Sequence, residues 1–489
     1  MRVVVIGAGL GGLAAALRLQ AAGHDVVVVE GRDRPGGRAY QLRRDGFTWD
    51  TGPSLITMPW VLEETFAAGG LDLHGELTLR RLDPFYRIRW AGEARALDML
   101  GAERMPDQIA QFSSRDAAAF DGFLAALKPI YEEGILGAGR RAFLRKRDLV
   151  AFAPRMVRLG AAQPLWQLVR RHFEHPRIRE AFSFHSLFIG GDPFRVPAIY
   201  GALVYLQFLD GVWYADGGVY ALVEAMARPL DVRCGERVAR IEQRGGAVTG
   251  VTLEGGQRIA ADAVVSNADV LKTHELLGRR PPLRRLTPSM SCLLLYLGCD
   301  RRFDGLLHHT LLVGAGYRRF IRDVTRGGRL PSTYSTYVHA PARTEPAMAP
   351  AGGDSIAVLL PVPNLRANVD WPREGDALRD AVVADLETTF GLTGLDASIR
   401  VEHRMTPLDF ERELGAADGN AFAVEPTLHQ SAALRQPNRD RSLRGLYYVG
   451  GGTHPGAGIP GVLLGAQITT ALMAADLPSP QRRPLVGHA

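Results

Sequence analysis

An α/β fold is predicted for this 489-residue chain by three observations. The N-terminus carries a strand-turn-helix-strand unit with glycines at fixed offsets, a glycine-dense turn opens a helix near the C-terminus, and short alternating strands lie between them. Residues 2–6 (RVVVI) read as a buried parallel strand, residues 10–22 as a helix rich in Ala and Leu, and Asp25–Glu30 (DVVVVE) as the next strand. The turn between the first two holds Gly7, Gly9, Leu10, Gly11 and Gly12 in a GxGxxG pattern. Its first glycine permits the tight turn, its second lets backbone approach a pyrophosphate, and its third lets the helix close on the strand. Phosphate then meets the unpaired N–H groups and positive dipole of the helix N-terminus. Glu30 falls where a carboxylate accepts hydrogen bonds from ribose hydroxyls. A mere glycine turn would not need strand, helix, second strand and terminal acid in register. All four are present, and they predict a dinucleotide site.

Two further segments point to FAD. Arg34-Pro35-Gly36-Gly37-Arg38 follows Glu30 and offers backbone donors and a guanidinium to the pyrophosphate. Residues 446–450 (LYYVG) read as a short buried strand, followed by a loop from Gly451 and Gly452 to Gly461 and Val462, then a helix to about Ala475. Such a loop, through Ile459, Pro460, Gly461 and Val462, can bring main-chain N–H groups to the anionic edge of a reduced flavin.

The predicted organisation is a discontinuous, Rossmann-like FAD-binding domain from residues 1–75, 215–285 and 440–489, with an α+β substrate domain inserted at 286–439 and a mostly helical region at 76–214. Arg237–Gln243 and Val248–Leu253 read as antiparallel strands around a Gly245-Gly246 turn, and Ala263–Ser266 as a further buried strand. Cys292–Leu297 and Ser355–Leu360 read as strands of the insert. Residues 140–171 hold nine Arg or Lys against one acid, Asp148, interleaved with Phe143, Leu144, Leu149, Phe152, Met156 and Trp166. That mixture suits a segment lying on an anionic membrane surface, the alternative being a solvated charged face.

Charge elsewhere is less telling. The net charge of +6 comes almost wholly from arginine, Lys128, Lys146 and Lys272 being the only lysines. No nucleic-acid motif accompanies it, so nucleic acid is not an expected partner. Cys234, Cys292 and Cys299 have neither metal-ligand nor CxxC spacing, which fits a reducing, cytoplasmic compartment. The glycine motif accounts for the apolar N-terminus better than a cleaved signal does. No apolar stretch of about 18 residues or more is expected, so membrane contact should be peripheral.

With both ends read, the chain resembles the bacterial phytoene desaturases, within the superfamily that includes the flavin amine oxidases. The resemblance rests on the glycine motif, Arg32 to Tyr40, Asp50-Thr51-Gly52-Pro53, Asp83 to Tyr86, Ala181 to Gly191, Ser266-Asn267-Ala268-Asp269, Phe422 to Pro426, and the block from Gly452 to Val462. It implies FAD contacts at Gly52 and Pro53, and backbone hydrogen bonds from Val238 to adenine. It suggests the pair Arg147 and Asp148 for acid or base work. Where many members of the wider superfamily carry an acid, this chain has Gly451, so contact there is expected through main chain. The connection from Ala227 to Cys234 is shorter than the family's, and the helix starting near Tyr220 should end early.

The implied reaction is desaturation of phytoene to lycopene or a close intermediate, with oxygen or a quinone as electron acceptor, on the inner face of the membrane. Each buried CH₂ contributes about 0.8 kcal/mol, so a long hydrocarbon needs no polar anchor. Competing readings are another carotenoid desaturase, such as one for 3,4-desaturation, a flavin amine or polyol oxidase, and a non-catalytic carotenoid carrier.

Overall fold

The computed structural model describes residues 1–279 and 286–477. The boundary expected at 285 and the end of the segment 440–489 lie outside the described residues. Val3, Val4 and Val5 are wholly buried, because both faces of their strand are covered by other elements. Arg2–Ile6 is the middle of a five-stranded parallel sheet, ordered Leu446–Tyr448, Ala263–Ser266, Arg2–Ile6, Asp25–Val29 and Asp231–Arg233. The helix Leu10–Ala21 crosses between the first two strands in sequence, and its Leu13 to Ala16 are fully buried. The helix Val219–Ala227 is followed by a three-residue turn that leads to Asp231–Arg233.

Next to this sheet, Val238–Arg244, Ala247–Leu253 and Arg258–Ala260 form a three-stranded antiparallel sheet. Its first hairpin turns on Gly245 (φ 59°) and Gly246 (φ 73°), a backbone twist that glycine adopts without steric cost.

The inserted part is a seven-stranded mixed sheet, ordered Ile399–Met405, Ser291–Cys299, Asp354–Val362, Thr336–His339, His309–Val313, Tyr86–Trp90 and Ala96–Met99. Its last two strands come from within the region 76–214, so that region is not purely helical and the substrate sheet begins before residue 286. Tyr86, Ile88 and Trp90 are buried in strict alternation with Arg87 and Arg89, and Tyr86–Trp90 pairs in parallel with His309–Val313. Alternation is the strand period, but the intervening arginines masked its apolar half.

The helix Ile459–Asp476 corrects one expectation, since its length and composition would allow it to cross a membrane. Here its Leu463, Leu464, Ala466, Ile468 and Met473 are buried, and it packs on Leu10–Ala21 as a core helix.

Candidate functional site

Gly7, at φ 91°, turns the chain out of the first strand, and Gly9 precedes a helix whose N-terminus no side chain caps. A Cβ on Gly9 would come 2.8 Å from Asn267 Nδ2, and one on Gly11 would come 3.0 Å from Asn267 Oδ1. The Asn267 amide thus sits across the glycine turn, with Nδ2 donating to the Gly7 carbonyl at 3.3 Å. A Cβ on Gly12 would meet the Gly7 carbonyl oxygen at 2.2 Å, so this glycine serves helix-on-strand contact and does not line the cavity. A Cβ on Gly52 would lie 2.0 Å from the Arg38 carbonyl oxygen, which shows how closely the segments 34–38 and 50–53 meet.

Glu30 is buried at the strand end. Its Oε2 accepts the Ala8 N–H at 2.8 Å and its Oε1 the Arg32 N–H at 2.9 Å. A carboxylate offers about four acceptor positions, so capacity remains for ribose hydroxyls. Val238 lines the same end of the cavity.

Two guanidinium groups decide whether a dinucleotide fits. Arg38 donates through Nη2 to Asn420 Oδ1 at 3.1 Å, yet its Nε is buried without a partner. Arg435 is 3% exposed and donates through Nη2 to the Gly451 carbonyl, while its Nε and Nη1 have no partner. Burial lowers the pKa of both. Unmatched buried donors and cations are costly, and a pyrophosphate supplies the acceptors they lack. The residues therefore fit an anionic dinucleotide. Arg435 and Asn267 escaped the sequence reading as contacts. Asn267 follows a buried strand and could have been suspected, whereas nothing local distinguishes Arg435 from a surface arginine.

The C-terminal loop closes the cradle. Gly456 and Gly458 have φ of 147° and 99°, and the helix they open has no side-chain cap. Gly451, Ile459, Pro460, Gly461 and Val462 line the cavity. Gly452 does not, because a Cβ there would meet Val270 Cγ2 at 2.7 Å. It is a packing position.

From this cradle one cavity of about 540 Å³ extends between the segment Phe184–Ile189, the helix Ala202–Asp210 and the inner face of the seven-stranded sheet. Leu203, Leu206, Leu294, Leu311 and Leu359 line that half. Among the described residues its carboxylates, Glu30, Glu236, Asp269 and Glu413, all belong to the cradle end. Glu413 is held there by Arg32 at 3.4 Å, and Glu236 by its own N–H on the Glu30 carbonyl.

Arg147 and Asp148 are not brought into this cavity. Asp148 Oδ2 accepts the N–H groups of Leu144 and Arg145 at 3.2 and 2.9 Å, the reach-back contact of the third residue of the helix Lys146–Arg158 to its cap position. Arg147 points to solvent, its Nε 4.0 Å from Asp148 Oδ1. The pair suggested for acid or base work therefore lies outside the cavity, with Arg147 exposed. His185, His339 and His454, the other polar groups that the resemblance offers, are all buried. Nε2 of His185 meets the Tyr86 hydroxyl at 2.8 Å, and Nε2 of His454 meets the Ala138 carbonyl at 2.9 Å. Burial lowers them to about 3 and about 4, so both are neutral at pH 7.

Comparison with known proteins agrees with this geometry. Residues 10–474 match the family model of the flavin containing amine oxidoreductases. The chain is 43% identical to a lycopene-forming phytoene desaturase of Pantoea ananas, covering 97% of this chain and 99% of that one. It is 41% identical to the corresponding protein of Pseudescherichia vulneris, over 97% and 99%. Among solved structures, a triple mutant of putrescine oxidase superposes with a TM-score of 0.64 at 14% identity, covering 97% and 98%. An oxidoreductase from Methanosarcina mazei gives 0.63 at 18%, covering 97% and 100%. At those identities the structures bear on the fold alone. With the family model spanning nearly the whole chain and relatives above 40% identity, the chain belongs to the bacterial-type phytoene desaturases, FAD-dependent oxidoreductases of the flavin containing amine oxidoreductase family.

Proposed function

We propose that this enzyme desaturates phytoene stepwise to lycopene or a close intermediate. One observation carries the reading: the dinucleotide cradle opens without a break into a cavity half lined by aliphatic and aromatic side chains. Bound FAD supplies the two-electron oxidant, a competent hydride acceptor. Arg38, Arg435 and the two helix N-termini would hold its pyrophosphate and Glu30 would orient the ribose, while the apolar lining excludes water from the hydrocarbon. An amine substrate would be favoured by a carboxylate beyond the cradle to pair its ammonium, and among the described residues the lining carboxylates all belong to the cradle end.

The hydrocarbon is read as arriving from an anionic lipid surface on the cytoplasmic side, through the region that starts at residue 140. In support, Ile135 and Gly139 line the cavity just before that region, and the helix Lys146–Arg158 exposes Val150 (70%) and Val157 (72%) beside Arg147 and Arg158. Oxygen or a quinone then takes the electrons.

The test is anaerobic addition of phytoene in liposomes to the FAD-loaded enzyme. The flavin absorbance should bleach, and aerobic turnover should give coloured carotenes of stepwise longer wavelength. A flavin that stays oxidised with phytoene, but is reduced by a 3,4-dihydro carotene or an amine, would replace phytoene as substrate.

A further inference from the structure

The reaction just proposed leaves a proton to be placed, and the apolar half of the cavity has a polar cluster behind it that no step so far uses. His309 begins the strand His309–Val313, His339 stands directly opposite it on Thr336–His339, and His308 precedes His309. All three are buried, and one ring nitrogen of each lies within 4.8 Å of those of the other two. His309 Nδ1 is 2.6 Å from the Tyr337 hydroxyl, which is 2.7 Å from Ser54 Oγ. Tyr337 and Ser54 both line the cavity, and Ser54 directly follows Pro53 of the cofactor cradle. Deeper in, His339 Nε2 and His308 Nε2 are 3.2 Å apart, and His308 Nδ1 is 2.6 Å from Thr344 Oγ1. His309 Nε2 is buried with no partner.

The geometry points to a proton relay in which Tyr337 accepts the proton leaving the substrate and His309, behind it, takes the tyrosine's own proton. The proposal rests on the desaturase reading and deepens it. Desaturation removes a hydride from one carbon, which goes to the bound oxidant, and a proton from its neighbour. As the second C–H bond breaks, its electron pair becomes the new π bond and its proton goes to Tyr337 Oη. The proton already on Oη moves to His309 Nδ1, so atoms and charge balance with an imidazolium inside the sheet. Tyr337 is the catalytic residue and His309 a positioning residue that acts through it. Burial holds His309 well below its ordinary pKa, so it rests as the neutral acceptor this scheme needs. As the hydride leaves, positive charge building on the one carbon acidifies the C–H bond of its neighbour, so a weak base suffices within the same concerted step.

Two readouts test this in the FAD-loaded enzyme. The first compares binding of a polyene analogue bearing a tertiary ammonium in place of the developing cation with binding of its neutral hydrocarbon isostere. Tyr337→Phe and His309→Gln should each weaken the ammonium analogue about tenfold and leave the hydrocarbon unchanged. The second is anaerobic flavin reduction by phytoene, which should slow roughly 100-fold in both variants at unchanged FAD content, the range expected for loss of general-base catalysis. If Tyr337→Phe fails to fold, as judged by its melting temperature, His309→Gln carries both readouts.

The relay is overturned if the two analogues lose affinity equally, if reduction stays at the wild-type rate, or if metal analysis finds one equivalent of ion that His309→Gln releases. A wild-type enzyme that phytoene does not reduce would count against the substrate, while the contrast between ammonium and hydrocarbon would still judge the relay.

Discussion

At the scale of single residues, Asp50 shows how burial and capping compete. Its Oδ2 accepts the Val219 N–H at 2.8 Å and its Oδ1 meets the Gln41 amide at 3.3 Å, yet desolvation outweighs these bonds and pushes the carboxyl from 3.8 up to about 6. An acid with a raised folded value binds its proton more tightly when folded. Its contribution to stability is therefore fully present below pH 3.8 and is lost as pH rises through about 6. A shift of this size corresponds to about 3 kcal/mol at most. Asp50→Asn keeps an acceptor for the helix and cannot ionise, so melting temperatures measured from pH 4 to pH 7 should gain on wild type as pH rises. Parallel profiles for the two proteins would place the ionisation elsewhere. Gly9→Val makes a separate test, because its Cβ would press on the Asn267 amide and its branches on the pyrophosphate path. Purified protein should be colourless yet folded, and a variant retaining stoichiometric FAD would move the pyrophosphate. Gly9 and Glu30 were legible in the sequence because their roles follow from neighbours within thirty residues. Asn267 meets the Gly7 carbonyl across 260 residues of chain, and Arg435 and His309 take their roles from a cavity that distant segments assemble, which no pattern around 435 or 309 marks.

Among the secondary-structure elements, legibility followed periodicity. Arg2–Ile6, Asp25–Val29 and Ala263–Ser266 were read almost to the residue, since runs of Val and Ala bounded by Gly or Asp admit little else. The strands Tyr86–Trp90 and Ala96–Met99 were not, because Arg87 and Arg89 mask the alternation of the hairpin they form, and only Tyr86–Trp90 joins a strand beyond residue 300. The basic helix Lys146–Arg158 combines both lessons. Its sequence suggested catalysis at Arg147-Asp148 and attachment to lipid, and the structure places that pair outside the cavity with Asp148 bonded to the chain before the helix. For the second, Val150 and Val157 stand seven residues apart on one exposed face with Arg147 and Arg158 nearby. Each basic residue near an anionic surface contributes about 1 kcal/mol, screened by salt. Replacing Arg145, Arg147 and Arg158 by Gln should reduce flotation with anionic vesicles at low salt, and Val150→Asp with Val157→Asp should reduce what remains at high salt. Undiminished flotation of both variants would place the lipid contact on another face.

At the scale of the whole molecule, the cradle joins parts of the chain far apart in sequence: residues 7–53, 236–272 and 435–462 meet at one cavity. Binding that ties all three together stabilises the folded state by about 2.7 kcal/mol at 100 times the dissociation constant. Arg435 makes the coupling testable in both directions. In the protein without FAD its guanidinium is a desolvated cation with two nitrogens lacking acceptors, and removing such a charge in favour of an apolar side chain is often neutral or stabilising. With FAD bound, the same group meets an anionic partner, and losing a charge-assisted hydrogen bond costs about 1.5–3 kcal/mol. Arg435→Met should therefore melt at the same temperature as wild type, or higher, without FAD, and lower with it, while FAD affinity falls at least tenfold. Thermal unfolding of both proteins at matched FAD concentrations, with flavin fluorescence for affinity, reads both signs. Equal losses with and without FAD would make Arg435 a structural anchor for the Gly451 carbonyl and nothing more.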